Sequence, residues 1–328
     1  TNKMSEEEPE IKLNDQVKEL KDEVNELYPN GTVLVQFHGQ KSGWVRHDQA
    51  EQKSLPGGIA IIVTDLTEPN YTASHELLHV LMLLKGFPQI FFDLSLGDQE
   101  MDEQMMILST NLYDIAMHRV VVAEQRKHDL INERIEDEYM EGIRQTLTDE
   151  PEDESKDNER TLRLITLTDA LVFFGKHADK YVPELEKRYP VAMAAAEKFY
   201  AKITAKPIKD PFDMRRCVVN IYKWFDEQMG DWGLPALHND KFTTLDPVLS
   251  ARQLRLEVRQ VFAIYDSQMK SRHHGNKKVY CGVMRSDGQT SFTMLAPNPD
   301  TPQMFQKIYS EPVEKLLKDQ HVPYTVRK

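Results

Sequence analysis

The sequence is poor in cysteine, with Cys217 and Cys281 the only two among 328 residues. They lie far apart in the chain, and neither belongs to a Cys-x-x-Cys pair. This excludes a disulfide framework and a thiolate zinc site. A reducing, cytoplasmic location is the expectation for such a chain.

Long apolar runs and an excess of positive charge are missing as well. No stretch approaches the ~20 apolar residues of a membrane-spanning helix, and the acidic start EEEPEIKLNDQVKEL is unlike a signal peptide. The chain carries 53 acidic against 41 basic residues, a formal net charge of -12. We therefore expect a soluble protein that works at no membrane and whose main partner is not nucleic acid.

The length and the 40% content of apolar residues allow two domains with cores of their own. Between them, DEPEDESKDNER has no apolar side chain and is typical of a solvated linker. We predict an N-terminal domain at 1–148, an acidic linker at 149–159 and a mostly helical C-terminal domain at 160–328, and the C-terminal region is a candidate surface for a protein partner.

The N-terminal part alternates helical and strand patterns. A first amphipathic helix stops at Pro29-Asn30-Gly31, and the glycine-bounded, β-branched runs GTVLVQFHG and GGIAIIVTD are typical of strands. TASHELLHVLMLLKG follows as a helix with Thr72 or Ser74 as N-cap, and MMILSTNLYDIAMHRVVVAEQRKHDLI as a long buried helix. The fold class predicted is α+β, with a small mixed sheet and packed helices.

The C-terminal part has helical patterns with Gly- and Pro-bearing joints, including LSARQLRLEVRQVFAIYDSQMK. KVYCGVMRSDGQTSFTML predicts a β-hairpin that turns at Ser286-Asp287-Gly288, and PVEKLLKDQ predicts a final helix.

The chemistry is concentrated in His75-Glu76-Leu77-Leu78-His79, an HExxH pattern. On a helix, residues four apart share a face, so both imidazoles can reach one ion while Glu76 holds a water bound to it. Zn²⁺ lowers the pKa of its bound water to about 7, and a carboxylate can then take the proton as the water attacks a carbonyl. The motif predicts a zinc site with Glu76 as general base.

A third protein ligand must come from farther along the chain, because Met82 and Lys85 stand where an HExxHxxGxxH pattern has Gly and His. The next long helix offers His118, Asp114 and Glu124. We favour His118 for its apolar neighbours, and Asp114 and Glu124 remain alternatives.

The order of helix, short sheet, HExxH helix and a helix with a distant ligand resembles the minimal gluzincin-type metallopeptidase core, especially the ImmA/IrrE-like group, over about residues 10–145. Leu78 departs from the glycine frequent at that position of the group. The resemblance implies that the strand before the motif helix, Gly58 to Val63, is a sheet edge that binds an extended peptide.

The leading hypothesis is a zinc metallopeptidase that acts on a peptide or protein. The alternatives are a non-catalytic or regulatory zinc protein that keeps the motif, and a helical scaffold in which it is accidental. Five further residues are candidate oxyanion donors, with a packing or surface role as the favoured interpretation of each: Tyr71, Tyr113, His47, His128 and Arg119. A weaker second metal site could involve the histidines of RHHGNKK together with His238, but plain loop residues are the favoured interpretation there.

Overall fold

A computed structural model describes residues 11–275 and 277–328. The first residues of the acidic start and Asn276 of RHHGNKK lie outside the described residues. The α-helices are α1 (Asp15–Leu27), α2 (Pro69–Leu84), α3 (Gln99–Lys127), α4 (Glu133–Thr146), α5 (Arg160–Phe174), α6 (Val182–Arg188), α7 (Pro190–Ile203), α8 (Pro211–Asp231), α9 (Asn239–Phe242), α10 (Ala251–Arg255), α11 (Val258–Val261), α12 (Pro302–Ser310) and α13 (Val313–Asp319).

The strands are short and belong to several small sheets, so the fold is α+β, as predicted. They are β1 (Thr32–Gln40), β2 (Ala50–Leu55), β3 (Gly58–Asp65), β4 (Ile90–Phe91), β5 (Leu94–Ser95), β6 (Thr244–Leu245), β7 (Val248–Ser250), β8 (Phe262–Ser271), β9 (Lys278–Met284), β10 (Thr290–Leu295) and β11 (Thr325–Arg327). No helix of the described residues combines the length and the hydropathy that spanning a bilayer requires.

The chain forms two compact units, each built from several stretches. The first takes the chain up to Lys85 together with 121–156 and 176–184, and the second takes 86–120, 157–175 and 185–328. Helix α3 runs from the second unit into the first.

The first unit has a three-stranded sheet in the order β1-β3-β2, with β3 parallel to β1 and antiparallel to β2. Ala60, Ile61 and Val63 of β3 are buried, which is what a central strand requires. The prediction that Gly58 to Val63 forms a sheet edge is therefore wrong. The polar segment AEQKSL forms β2 and pairs with one side of β3, while β1 pairs with the other side, so β1 and β2 are the edge strands.

The motif helix α2 begins earlier than predicted. Pro69 occupies its first turn, where proline's fixed φ suits a helix and its missing N–H costs nothing. The amide of Thr72 already donates to Glu68 O at 3.0 Å, so Thr72 lies within the first turn. The Ser74 hydroxyl bonds Tyr71 O at 2.8 Å inside the helix, so neither Thr72 nor Ser74 is the N-cap. The predicted end is confirmed, since Lys85 is the C-cap and Gly86 follows with φ 90°.

In the second unit, α5 and α7 pack together and a four-stranded sheet has the order β10-β9-β8-β5. The predicted hairpin is confirmed as β9 and β10. The helix predicted over LSARQLRLEVRQVFAIYDSQMK is wrong: α10 and α11 are short, and the chain continues as β8. Phe262 of β8 is buried against Phe292 of β10, and pairing with β9 outweighs the helical pattern.

A buried arginine joins α8 to the hairpin turn. The guanidinium of Arg215 donates to Leu245 O and Asp246 O at 3.0 and 2.9 Å, and to Ser291 Oγ at 2.9 Å. Its Nε lies 3.1 Å from a carboxylate oxygen of Asp287, in the turn itself. Each nitrogen of the Arg215 guanidinium thus has a hydrogen-bond partner, and a buried charged group requires such partners.

Candidate metal centre

The two motif histidines face each other on helix α2. His75 is 3% exposed and His79 is half-buried. Their Nε2 atoms lie 3.1 Å apart, and the two rings meet edge to face with centroids 4.7 Å apart. The sequence prediction that these imidazoles share one face of a helix is what the structure has.

Gln125, on the part of α3 that belongs to the first unit, sets the tautomer of His75. Its amide nitrogen donates to Tyr71 O at 3.0 Å and to Ser74 Oγ at 2.9 Å. Because a backbone carbonyl can only accept, the amide oxygen is turned to His75 Nδ1, at 3.3 Å. His75 therefore carries its proton on Nδ1 and keeps the lone pair on Nε2, the atom that faces His79.

This arrangement fits a zinc ion. Two imidazole nitrogens bound to one tetrahedral zinc at about 2.0–2.1 Å lie about 3.3 Å apart. The 3.1 Å between the two Nε2 atoms is close to that spacing. A hydrogen-bond acceptor on the far nitrogen of a histidine ligand is the usual arrangement around protein-bound metals. The two motif imidazoles thus have a spacing and an outer hydrogen-bond partner that suit zinc.

Glu76 follows His75 in the sequence, and its side chain is partly buried. Burial raises the pKa of its carboxyl to about 7, while the charge of His47 and a hydrogen bond from Gln52 act in the opposite direction. Gln52 belongs to the edge strand β2. The carboxyl of Glu76 is therefore placed beside His47 and the edge strand β2.

His47 is a further imidazole of the first unit, and it lies against His75 without sharing a ring plane with it. Its ring stacks on that of His75 with centroids 4.6 Å apart and an angle of 9° between the planes. Lone pairs lie in the ring plane, so an ion in the plane of one stacked ring lies outside the plane of the other. Its Nε2 is 3.3 Å from the Tyr71 hydroxyl.

The loop that carries His47 is fixed on helix α4. The amide of Val45 donates to Glu138 O at 3.1 Å, and the buried Gln49 side chain donates to Trp44 O at 2.9 Å. Gly142 of α4 permits this approach, since a Cβ there would overlap the carbonyl oxygen of Val45. The position of His47 is thus set by backbone packing on α4.

His118 lies in the second unit and has the environment of a metal ligand. It is 2% exposed, and its Nδ1 is 2.7 Å from a carboxylate oxygen of Asp169 on helix α5. A carboxylate at Nδ1 holds the proton there, leaves Nε2 as the electron-pair donor and raises its basicity. Asp114, the alternative one turn earlier on α3, is partly buried.

The other candidates lie elsewhere. Glu124 has a carboxylate oxygen 3.6 Å from His128, whose side chain is half exposed. In the second unit, the guanidinium of Arg119 donates to Ile203 O and Lys206 O, and the Tyr113 hydroxyl donates to Pro88 O at 2.7 Å. Among the five candidate oxyanion donors, Tyr71 and His47 contact each other, and the rings of both lie beside that of His75.

The weaker second metal site is not formed as the sequence suggested. His273 Nε2 is 3.4 Å from Asp93, whereas a ligand atom of His238 lies within 4.8 Å of the carboxylates of Asp226 and Asp240. His238 and His273 thus have different acidic neighbours, in agreement with their interpretation as polar loop residues.

Sequence reasoning missed Gln125 and Asp169. The signal for Gln125 was a single amide shortly after the apolar run VVVA, at a position that is 0% exposed. Each of these residues lies about 50 positions along the chain from the histidine that it contacts, so no local pattern connects the two. Comparison with protein-family models, with curated proteins and with solved structures finds no match for this chain.

Proposed function

We propose that the chain is a zinc-dependent peptidase in which Glu76 is the general base. The observation that carries this proposal is the pair of motif histidines, whose Nε2 atoms lie 3.1 Å apart while Gln125 holds the Nδ1 proton of His75. His75 is buried and His79 half-buried, and two imidazole nitrogens this close repel each other unless a proton of His79 or a cation lies between them.

His75, His79 and His118 are the proposed zinc ligands. His118 and Gln125 are seven residues apart, or two turns, and so lie on the same face of helix α3. When bound, zinc polarises the scissile carbonyl and acidifies a water molecule. Asp114 and Glu124 remain the alternatives to His118 as the third ligand.

Glu76 accepts the proton of the attacking water and returns it to the leaving amine. A carboxylate is suited to both steps when its pKa is near the working pH. The His47 ring and the Tyr71 hydroxyl lie beside His75 in the first unit, and we propose that they stabilise the negative charge that develops on the carbonyl oxygen.

The proposed substrate is an extended peptide that adds to the outer side of β2. Thr64 N donates to Gln49 O at 2.8 Å, so Gln49, Glu51 and Lys53 use their backbone groups toward β3. The backbone groups of Gln52 and Ser54 then point outward, where a peptide can pair with them. Ser54→Pro, compared with Ser54→Ala, should raise KM for peptides without loss of zinc; an unchanged KM would contradict this docking.

Hydrolysis of a quenched fluorescent peptide library tests the proposed activity. We expect zinc-loaded protein to cleave members of the library and Glu76→Gln to reduce kcat at least a thousandfold, or about 4 kcal/mol, while keeping its zinc. Glu124→Gln makes the same chemical change on α3 and should leave kcat within about twofold if His118 is the third ligand.

Two results would refute this proposal. Equal activity of Glu76→Gln and the parent protein would exclude Glu76 as the base. Full zinc loading with no cleavage of any library peptide would favour the non-catalytic zinc protein instead.

A further inference from the structure

The second unit contains a cavity of about 340 Å³ that has no part in the proposed peptidase chemistry. It lies between Arg119 of α3, the end of α7, the segment 204–210 and helix α8 from Asp213 to Trp224. Ile203 and Cys217 on its walls are buried and the indole of Trp224 is half-buried, whereas Lys202 and Lys206 are exposed. The cavity thus has an apolar interior and a basic mouth.

Its charge is opposite to that of the chain as a whole. Four cationic side chains and one carboxylate, that of Asp213, line the cavity, whereas the whole sequence has a formal net charge of -12. Cations gathered around a concave, partly apolar surface attract anions more strongly than the same charges on an open surface.

The four cations differ in how they are held. The guanidinium of Arg119 donates to Ile203 O at 2.8 Å and to Lys206 O at 2.9 Å, so it fixes the segment after α7. Arg216 donates to Asp213 at 3.1 Å. Lys202 Nζ is 3.8 Å from Glu227.

Among the cations at the mouth of the cavity, Lys206 is the one whose charge is least balanced by nearby carboxylates. Within residues 11–275 and 277–328, no carboxylate lies within 4 Å of its Nζ. Its backbone carbonyl is held by Arg119, so the side chain starts from a fixed position beside the cavity. Lys206 is therefore available to bind an anionic ligand group.

We propose that this cavity binds a small organic anion that has a flat apolar body and one carboxylate or phosphate head. Lys206 and Arg216 bind the head, and the body lies against Trp224 and the isoleucines Ile203 and Ile208. The volume is at the small end of ligand sites, which span about 300–1,000 Å³, and it suits a body of one or two rings. Flat rings gain from stacking on indole, and an anion gains from charge-assisted hydrogen bonds.

Isothermal titration calorimetry on the full chain tests the site with 1-naphthoate, phenyl phosphate, the neutral 1-naphthamide and inorganic phosphate. We expect 1-naphthoate or phenyl phosphate to bind with a Kd below about 1 mM, and the neutral amide and inorganic phosphate to bind at least tenfold more weakly. Which of the two anions binds more tightly identifies the head group that the site prefers.

Two variants test whether the anion binds in this cavity. Lys206→Ala should weaken the tighter anion about tenfold, and Trp224→Leu about fivefold. Lys198→Ala removes an exposed lysine from α7 that does not line the cavity, and should leave the Kd within about twofold.

Three outcomes overturn the proposal. One is the absence of binding by both organic anions up to about 5 mM. Another is equal affinity for 1-naphthoate and its neutral amide, because the cations then play no part. The last is an equal loss in the Lys206 and Lys198 variants, because the binding then depends on general surface charge.

Discussion

Replacing Gln125 by leucine tests whether this amide controls the candidate metal centre. Leucine has nearly the same volume and can fill the site, but it has neither the acceptor for His75 Nδ1 nor the donor for Tyr71 O and Ser74 Oγ. The position is 0% exposed, so water cannot replace the lost bonds without entering the core.

The expected size of the effect follows from these contacts. Three lost hydrogen bonds at about 1 kcal/mol each predict a decrease of about 2–4 kcal/mol in the free energy of unfolding of metal-free protein. The freed imidazole can also move its proton to Nε2, the atom needed for zinc. Loss of such an outer partner usually costs about 10–100-fold in metal affinity.

Urea unfolding in a chelator and zinc competition against a fluorescent indicator measure these two quantities. Gln145→Leu is the matched control, because Gln145 is exposed on α4 and should change neither quantity by more than about 0.5 kcal/mol. A zinc Kd in Gln125→Leu within twofold of the parent value would refute the role assigned to Gln125.

Three further predictions concern the surroundings of the centre. Gly142→Ala should lower the unfolding free energy by about 1–3 kcal/mol, because the new methyl group meets the backbone of Val45; Gly230→Ala, with open space at its Cβ, should change it by less or raise it by up to about 1 kcal/mol in the same urea titrations. Asp169→Asn should weaken zinc about tenfold in the indicator competition, because the charge that holds the Nδ1 proton of His118 is lost, and an unchanged Kd would exclude His118 as a ligand. Glu138→Gln should remove a pH dependence: burial, and then the charge of Glu68, raise the pKa of Glu138 to about 7. Its contribution to stability is complete below pH 4.5 and is lost as the pH rises through 7. Because solvent screens this partly exposed carboxyl, the parent should lose only about 1 kcal/mol more than the variant between pH 5 and 8, and parallel curves would contradict this.

The motif helix of the first unit and the hairpin of the second could be predicted from local pattern. The helix with His75 and His79 has periodic leucines and a Gly86 stop, and the hairpin has its Ser-Asp-Gly turn; the structure contains both. Strand β2 could not be predicted, because AEQKSL is polar on both faces and forms a strand only by pairing with β3. Its omission caused the wrong assignment of the sheet edge.

The candidate site likewise has one part that could be predicted from the sequence and one part that could not. The i, i+4 spacing of His75 and His79 is a local property, and it was readable from the sequence. The partners that set the proton positions of His75 and His118 lie 50 and 51 residues away on other helices. Such partners depend on how helices pack, and one buried glutamine or aspartate has no periodic signal.

The zinc content of the purified chain tests the central claim most directly. After reconstitution and desalting, mass spectrometry of the metal should find about one zinc per chain in the parent and in His128→Ala, the matched control with an exposed histidine on the surface. The His75→Ala, His79→Ala and His118→Ala variants should each lose most of the zinc. A parent protein that retains no zinc, or a His75→Ala variant that retains all of it, would contradict the account.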